Sequence, residues 1–235
     1  MQAAPVRFAG LAVLLSLQVS LSAQTLIYDR ATFQSDPAAS SLASINFDSF
    51  LAGTDLTNQT ILGATFTAPG ASPLLVITGS SGVRYPMSPS SGLNVLSPGG
   101  NNPSLEQDDL EITFASPVRA AGLDVVFDVP DGVSYVGASF YDLAGNLLAQ
   151  NTFIPAPNGA PGYQFVGFIA SSSGPWIKRI VFNEFDGSAN DDNVAYDSLV
   201  YTAPAVPEPA TYALLPLGLI VLLSPALCRR HVSAA

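Results

Sequence analysis

The 235-residue chain has one cysteine and one histidine, and both fall near its end, at Cys228 and His231. The residues before them therefore cannot assemble a Ser-His-Asp or Cys-His nucleophilic system, nor a zinc site built on imidazole or thiolate. They cannot form a disulfide either, although the chain carries the marks of export described below. Charge is scarce as well, at 11% of residues, and positive charge is scarcest. Outside an apolar head (1–23) and an apolar tail (207–235), five Lys and Arg side chains face 17 Asp and Glu, a net charge of −12. Such a body repels nucleic acid and anionic lipid surfaces, which excludes DNA and RNA as partners. With 19 glycines and 19 prolines the chain is no helical bundle, and with 48% hydrophobic residues it is no disordered polyelectrolyte. The body, residues 24–206, is long enough to bury roughly 70% of its unfolded surface as one domain. The chemistry left open is that of carboxylates: two-acid glycoside hydrolysis, or a hard cation held by oxygens.

The two ends read as addresses. In MQAAPVRFAGLAVLLSLQVSLSA one positive charge, Arg7, precedes a short apolar run, and small residues follow at Ser20, Ser22 and Ala23. This is the layout of a secretory signal peptide spanning 1–23, which implies the Sec export machinery and a signal peptidase as partners. The alternative is an uncleaved anchor helix. Near the other end, Tyr212–Cys228 is an uncharged run of 17 residues closed by Arg229 and Arg230. As a helix it spans about 25 Å, near the lower limit for crossing a bilayer, with prolines at 216 and 225. Positive charge after the run places that end inside, and the signal peptide places the body outside.

Val206-Pro207-Glu208-Pro209, the apolar helix and the Arg229–Arg230 pair, in that order, resemble the PEP-CTERM sorting signal. The resemblance covers residues 205–235, with the motif at 207–209, the membrane helix at 212–228 and the basic tail at 229–235. It implies a Gram-negative bacterium with an exosortase that recognises Pro207, Glu208 and Pro209 and processes the protein near them. It further implies transient anchoring, then residence at the cell surface or in the extracellular matrix, in association with extracellular polysaccharide.

Between the ends the hydrophobic pattern has period two. In DLEITFAS, Leu110, Ile112 and Phe114 oppose Asp109, Glu111 and Thr113; in GLDVVFDV, Leu123, Val125, Phe127 and Val129 alternate with Asp124, Val126 and Asp128. Both predict half-buried strands. Further strands are expected at 44–50, 63–68, 74–78, 92–96, 133–141, 147–154, 164–170, 176–185 and 193–202. Asp142–Asn146 reads as a hairpin loop with Gly145 in a left-handed position. The single expected helix is Arg30–Gln34, capped by Asp29 and ending before Pro37. LLVI and IKRIVF do not alternate, which fits central strands or bent edges. Residues 79–103 form a long polar stretch of the kind that serves function or mobility. Short strands separated by turn residues predict two packed antiparallel sheets in residues 24–204.

The body also resembles the globular part of many PEP-CTERM surface proteins, through INFDSFLAGTDLTNQTILGATFTA, ITFASPVRAAGLDVVF, GASFYDLAGNLLA and DDNVAYDSLVY. Those domains are similar to jelly-roll lectin and galactose-binding-like modules, so the resemblance implies a jelly-roll-like β-sandwich.

Acidic residues cluster at Glu106, Asp108, Asp109 and Glu111, at Asp124, Asp128 and Asp131, and at Glu184, Asp186, Asp191, Asp192 and Asp197. Calcium requires six to eight oxygens, and the last turn offers Glu184, Asp186, Asn190, Asp191, Asp192 and Asn193 without an EF-hand spacing. First and last strands of a jelly roll often pair, which would bring Asp48 and Asp55 towards Asp192 and Asp197. The likeness to galactose-binding-like modules implies a structural calcium there; the alternative is a set of solvated turn residues. A sugar site needs aromatic faces beside a few polar groups. Tyr85, Tyr135, Tyr141, Tyr163 and Trp176 are the candidates. Tyr135 and Tyr141 share a strand face opposite Val136, Ala138 and Phe140, and Trp176 reads as a core residue. No carboxylate pair stands out as catalytic. The expectation is a non-catalytic carbohydrate-binding-like module, with a purely structural matrix component or a carboxylate glycosidase as alternatives.

Overall fold

The computed structural model describes residues 26–69, 73–81, 87–100, 108–127, 135–154, 162–185 and 194–203. Residues 1–23 and 205–235, which carry the export and sorting expectations, lie outside them. So do Tyr85, Asp186, Asp191 and Asp192. Among the described residues no helix is long and apolar enough to cross a membrane.

The chain opens with a short helix, α1 (Arg30–Ser35), and continues through β1 (Leu42–Ile45), β2 (Thr60–Ile61), β3 (Ala64–Thr67), β4 (Leu74–Thr78) and β5 (Asn94–Pro98). It then forms β6 (Leu110–Val118), β7 (Ala120–Phe127), β8 (Tyr135–Tyr141), β9 (Leu147–Ile154), β10 (Gly162–Ile169), β11 (Ile177–Phe185) and β12 (Val194–Thr202). Two antiparallel six-stranded sheets result. The first runs β10-β7-β12-β5-β4, with β1 also paired to β12; the second runs β2-β3-β6-β11-β8-β9. The expected helix starts where predicted: the Asp29 carboxylate accepts the Thr32 N–H at 2.6 Å, satisfying a donor that the first turn leaves unpaired.

Period two explains which side chains meet between the sheets. Leu110, Ile112 and Phe114 of β6 are buried, as are Val136, Ala138 and Phe140 of β8. Aromatic pairs bridge the layers: Phe140 with Phe168 at 5.4 Å, Phe182 with Tyr196 at 5.3 Å and Phe114 with Tyr201 at 5.1 Å between ring centroids. The two tyrosines keep their hydroxyls satisfied, donating to the carbonyls of Asp108 and Leu62. Each such pair stabilises by about 0.5–1.5 kcal/mol beyond its buried area.

The two strands whose parity breaks do so at bulges. In β11 the register shifts between Ile177 and Arg179, so Ile177 and Ile180 both point inward although they are three apart. This accounts for the non-alternating IKRIVF. In β12 the register shifts between Asp197 and Val200, and Ser198 takes φ of 51°. Inward residues change from Val194 and Tyr196 to Leu199 and Tyr201, all members of the main core.

One expectation is corrected. β7 is not half-buried: all eight of its residues are buried. Ala121, Leu123, Val125 and Phe127 face the other sheet. On the opposite face Ala120 joins Phe33, Ala39, Phe165 and Val200 beneath α1, and Val126 joins Ile77, Met87, Val95 and Ala195 beneath the 87–93 segment. The first sheet is thus covered at both ends of its outer face, and Asp124 lies between the covers.

Gly122 marks how closely these layers approach. A Cβ there would lie 2.6 Å from the Phe165 ring and 2.7 Å from the Gly167 Cα. Gly122→Ala is expected to destabilise the fold by about 1–3 kcal/mol through overpacking, read as a lower urea midpoint at unchanged slope.

Candidate functional site

Between the two covers on the outer face of the first sheet lies a cavity of about 640 Å³. Its floor comes from β7, β10 and β12, and its walls from the segment leading into α1, from β1 and from Ser90 and Ser91.

Asp124 is the least expected member. It stands on a strand covered on both faces, with its side chain 1% exposed, and its direct cross-strand partner on β12 is another carboxylate, Asp197. Like charges directly opposite repel, and burial disfavours each charge further. Three features answer that cost. The Arg30 guanidinium reaches Asp124 Oδ2 at 2.8 Å, and the same nitrogen donates to the Ser198 carbonyl at 2.7 Å. The β12 bulge is what puts that carbonyl there, since the left-handed Ser198 re-aims the backbone. The guanidinium also stacks over the Phe165 ring, 4.6 Å from its centroid. Burial nonetheless holds the Asp124 carboxyl above the ordinary carboxylate range; hydrogen bonding from Ser90 and the charge of Arg30 pull it down without cancelling the rise.

Asp197 is satisfied differently. Its oxygens accept from the Ser91 N–H at 2.8 Å, from the Ser90 and Ser91 hydroxyls, and from the Ser198 N–H at 2.6 Å. The Ser91 hydroxyl also meets Asp48 at 3.4 Å, and Asp48 accepts the N–H groups of Leu93 and Asn94. The pairing of β1 with β12 does therefore bring Asp48 to Asp197, as the strand-pairing argument anticipates. Their shared partner is Ser91, and together they fasten the 90–94 segment over the sheet.

The remaining calcium candidates do not join them. Glu184 sits in the other sheet, where its N–H donates to Asp109 at 2.9 Å. With Asp108 and Asp109 its charge helps to raise the hydroxyl of buried Tyr196, chiefly raised by desolvation, well above the ordinary tyrosine range. Asp55 caps Thr57 at the surface. Among the described residues no group of three or more His, Cys, Asp or Glu is placed to hold a metal ion.

Of the aromatic candidates, Tyr141 lies on the outer face of the second sheet with the Arg179 guanidinium 4.5 Å over its ring, and Arg179 also pairs with Glu111 at 3.3 Å. The side chain of Tyr135 lies outside the described residues. Trp176 is 42% exposed, not a core residue, and lines a shallow apolar hollow with Pro117, Leu143 and Pro175. It precedes the β11 bulge, and Ile177 takes the inward position instead.

Tyr163 is the sequence candidate that the structure places at the cavity, and Tyr28, missed by the sequence reading, joins it there; both rings are exposed. Tyr28 is held on either side: Asn151 donates to its hydroxyl, and Gln164 donates to its carbonyl at 2.7 Å. Exposed Gln34, Ser44 and Asn46 complete the rim, and no hydrogen bond ties their side chains to another described residue. Arg30 and Asp124 also escaped notice as site residues. The available signal was a lone acid in the apolar stretch AAGLDVVF, which has to find a cation.

Arg30→Met strips that cation away while Asp124 stays buried. A loss of about 2 kcal/mol is expected, at the low end for a buried pair because the Arg30 side chain is 26% exposed. Adding Asp124→Leu should recover at least half of it in urea unfolding. The raised Asp124 also sets a pH dependence. Between the ordinary carboxylate midpoint and its own higher one, the folded chain keeps a proton that the unfolded chain has released, so stability falls as pH rises. The stability difference between Asp124→Asn and the parent should grow across that window and stay flat above it.

No family model matches the chain, and no curated protein matches it. Among solved structures, the K2 cleaved adhesin domain of Lys-gingipain aligns with a TM-score of 0.43 at 11% identity, over 69% of this chain and 99% of that one. A cyclase from Fischerella sp. TAU aligns at 0.44 and 19% identity, over 70% and 100% respectively. The enzymatically active domain of bacteriophage CBA120 tailspike protein 4 aligns at 0.31 and 14% identity, over 63% of this chain and 21% of that one. None of these likenesses assigns an activity to this chain.

Proposed function

We propose that this is an exported protein of the bacterial cell surface or matrix, sorted by an exosortase, whose body binds carbohydrate without turning it over. The sorting part rests on Pro207-Glu208-Pro209, the apolar 212–228 run and the Arg229–Arg230 pair. The binding part is carried by one observation: two exposed tyrosines flank a cavity on a rigid sheet whose rim offers unsatisfied amides and hydroxyls. Sugars present apolar C–H faces and a ring of hydroxyls, and that pairing of aromatic face with planar polar groups matches them. A jelly-roll-like class belongs to the same proposal; the strand neighbours β1-β12-β7-β10 and β6-β11-β8-β9 support it. Asp124 and Asp197 are engaged within the fold, which favours binding over two-acid hydrolysis.

The full chain in mild detergent, passed over immobilised polysaccharide from a PEP-CTERM bacterium, should be retained. Tyr28→Ala and Tyr163→Ala should each weaken retention about tenfold, roughly 1.4 kcal/mol, with unchanged melting. Retention unaffected by both would overturn the binding site. Running the column with calcium and with chelator decides whether the acidic turn Glu184–Asp197 takes part. Glu208→Ala should leave the full-length form in the membrane fraction; release like that of the parent would refute the sorting part.

A further inference from the structure

We infer that the cavity selects neutral saccharides and rejects acidic ones, and that Asp124 is the residue that sets this preference. The inference rests on the carbohydrate reading of the cavity and adds the class of sugar. An anionic sugar is ordinarily held by an arginine whose guanidinium is free to form two parallel bonds to a carboxylate. Arg30 is the one basic residue among the lining residues described. Its charge is already spent: Nη2 is shared between the Asp124 carboxylate and the Ser198 carbonyl, and its flat face lies on Phe165. Asp124 is inside the fold and cannot swing away to free it. Asp197 stands directly across the ladder from Asp124, and Asp48 is joined to Asp197 through Ser91. The floor therefore carries more negative than positive charge. A uronic carboxylate entering it meets repulsion in a partly desolvated site, where screening is weak.

A neutral ring meets the opposite situation. Carboxylates and serine hydroxyls accept from sugar hydroxyls, Gln34 and Asn46 donate and accept, and Arg30 keeps the donors of Nε and Nη1, which no described residue occupies. Arg30 then serves as a fixed set of N–H donors and not as a charge. Asp124 is a positioning and specificity residue, acting through Arg30.

The test is a glycan array on which each neutral oligosaccharide stands beside its C6-oxidised uronic counterpart, probed with the full chain in detergent. The parent should bind neutral members at least tenfold more strongly than their oxidised partners. Asp124→Asn, which keeps an acceptor for Arg30 but removes the countercharge, should narrow that ratio at least fivefold with unchanged melting. Parent binding to oxidised members as strong as to neutral ones would overturn the inference and leave the carbohydrate reading standing; binding to neither would overturn both. A folded Asp124→Asn with the parent's ratio would remove Asp124 from the account. Should that variant not fold, salt decides: raising NaCl from 50 to 500 mM should change neutral binding less than twofold, and a tenfold loss would show a charge-held ligand.

Discussion

A carboxylate in the middle of a strand that is covered on both faces must find a cation, and much of this molecule's outer architecture follows from where Asp124 finds one. The partner comes from 94 positions earlier in the chain, on the first turn of α1. The same guanidinium nitrogen reaches a carbonyl 168 positions away, on the last strand. A salt bridge of this kind adds little net stability over an apolar alternative, because desolvation offsets the Coulomb attraction. Its effect is selective. Only one seating of α1 on the sheet lets Arg30 touch both groups while Phe33 packs on Phe165 at 5.2 Å.

The cavity is a by-product of the same constraint. Apolar side chains cover the outer face of the sheet at two places, under α1 and under the 87–93 segment. Neither cover extends across Asp124 and Asp197, since apolar atoms laid on two carboxylates would leave them without hydrogen bonds. Serines, an arginine and a bulged backbone occupy the gap instead, and what they do not fill is open to solvent. A strained residue at such a place, Ser198, is what an irregular ladder beside a binding cleft leads one to expect.

The sandwich itself was legible from residue order. The helix begins at Arg30 behind its Asp29 cap, β4 and β9 occupy their expected spans, and Gly145 has φ of 83° within the Asp142–Asn146 turn. These features are local: a cap, a period of two and a turn glycine act within a few residues. The site was legible only in fragments. Asp48 and Asp197 do approach each other, and Tyr163 lies at the cavity. Tyr28 and Arg30 went unnoticed, and Trp176 was assigned to the core, because nothing in the sequence around them says which face of which sheet they will meet.

What the sequence by itself determined is the class of structure and of chemistry. Alternating apolar residues dictate strands, and a body without histidine or cysteine leaves carboxylates, amides and tyrosines as its functional groups. What only the tertiary structure decided is which side of each strand those groups occupy. Single-residue bulges in β11 and β12 invert the parity of everything that follows them, and a bulge depends on the register of neighbouring strands drawn from distant parts of the chain. The face on which Asp197 and Ser198 sit, and the carbonyl that holds Arg30, are therefore set by pairing across the sheet, which no local pattern encodes.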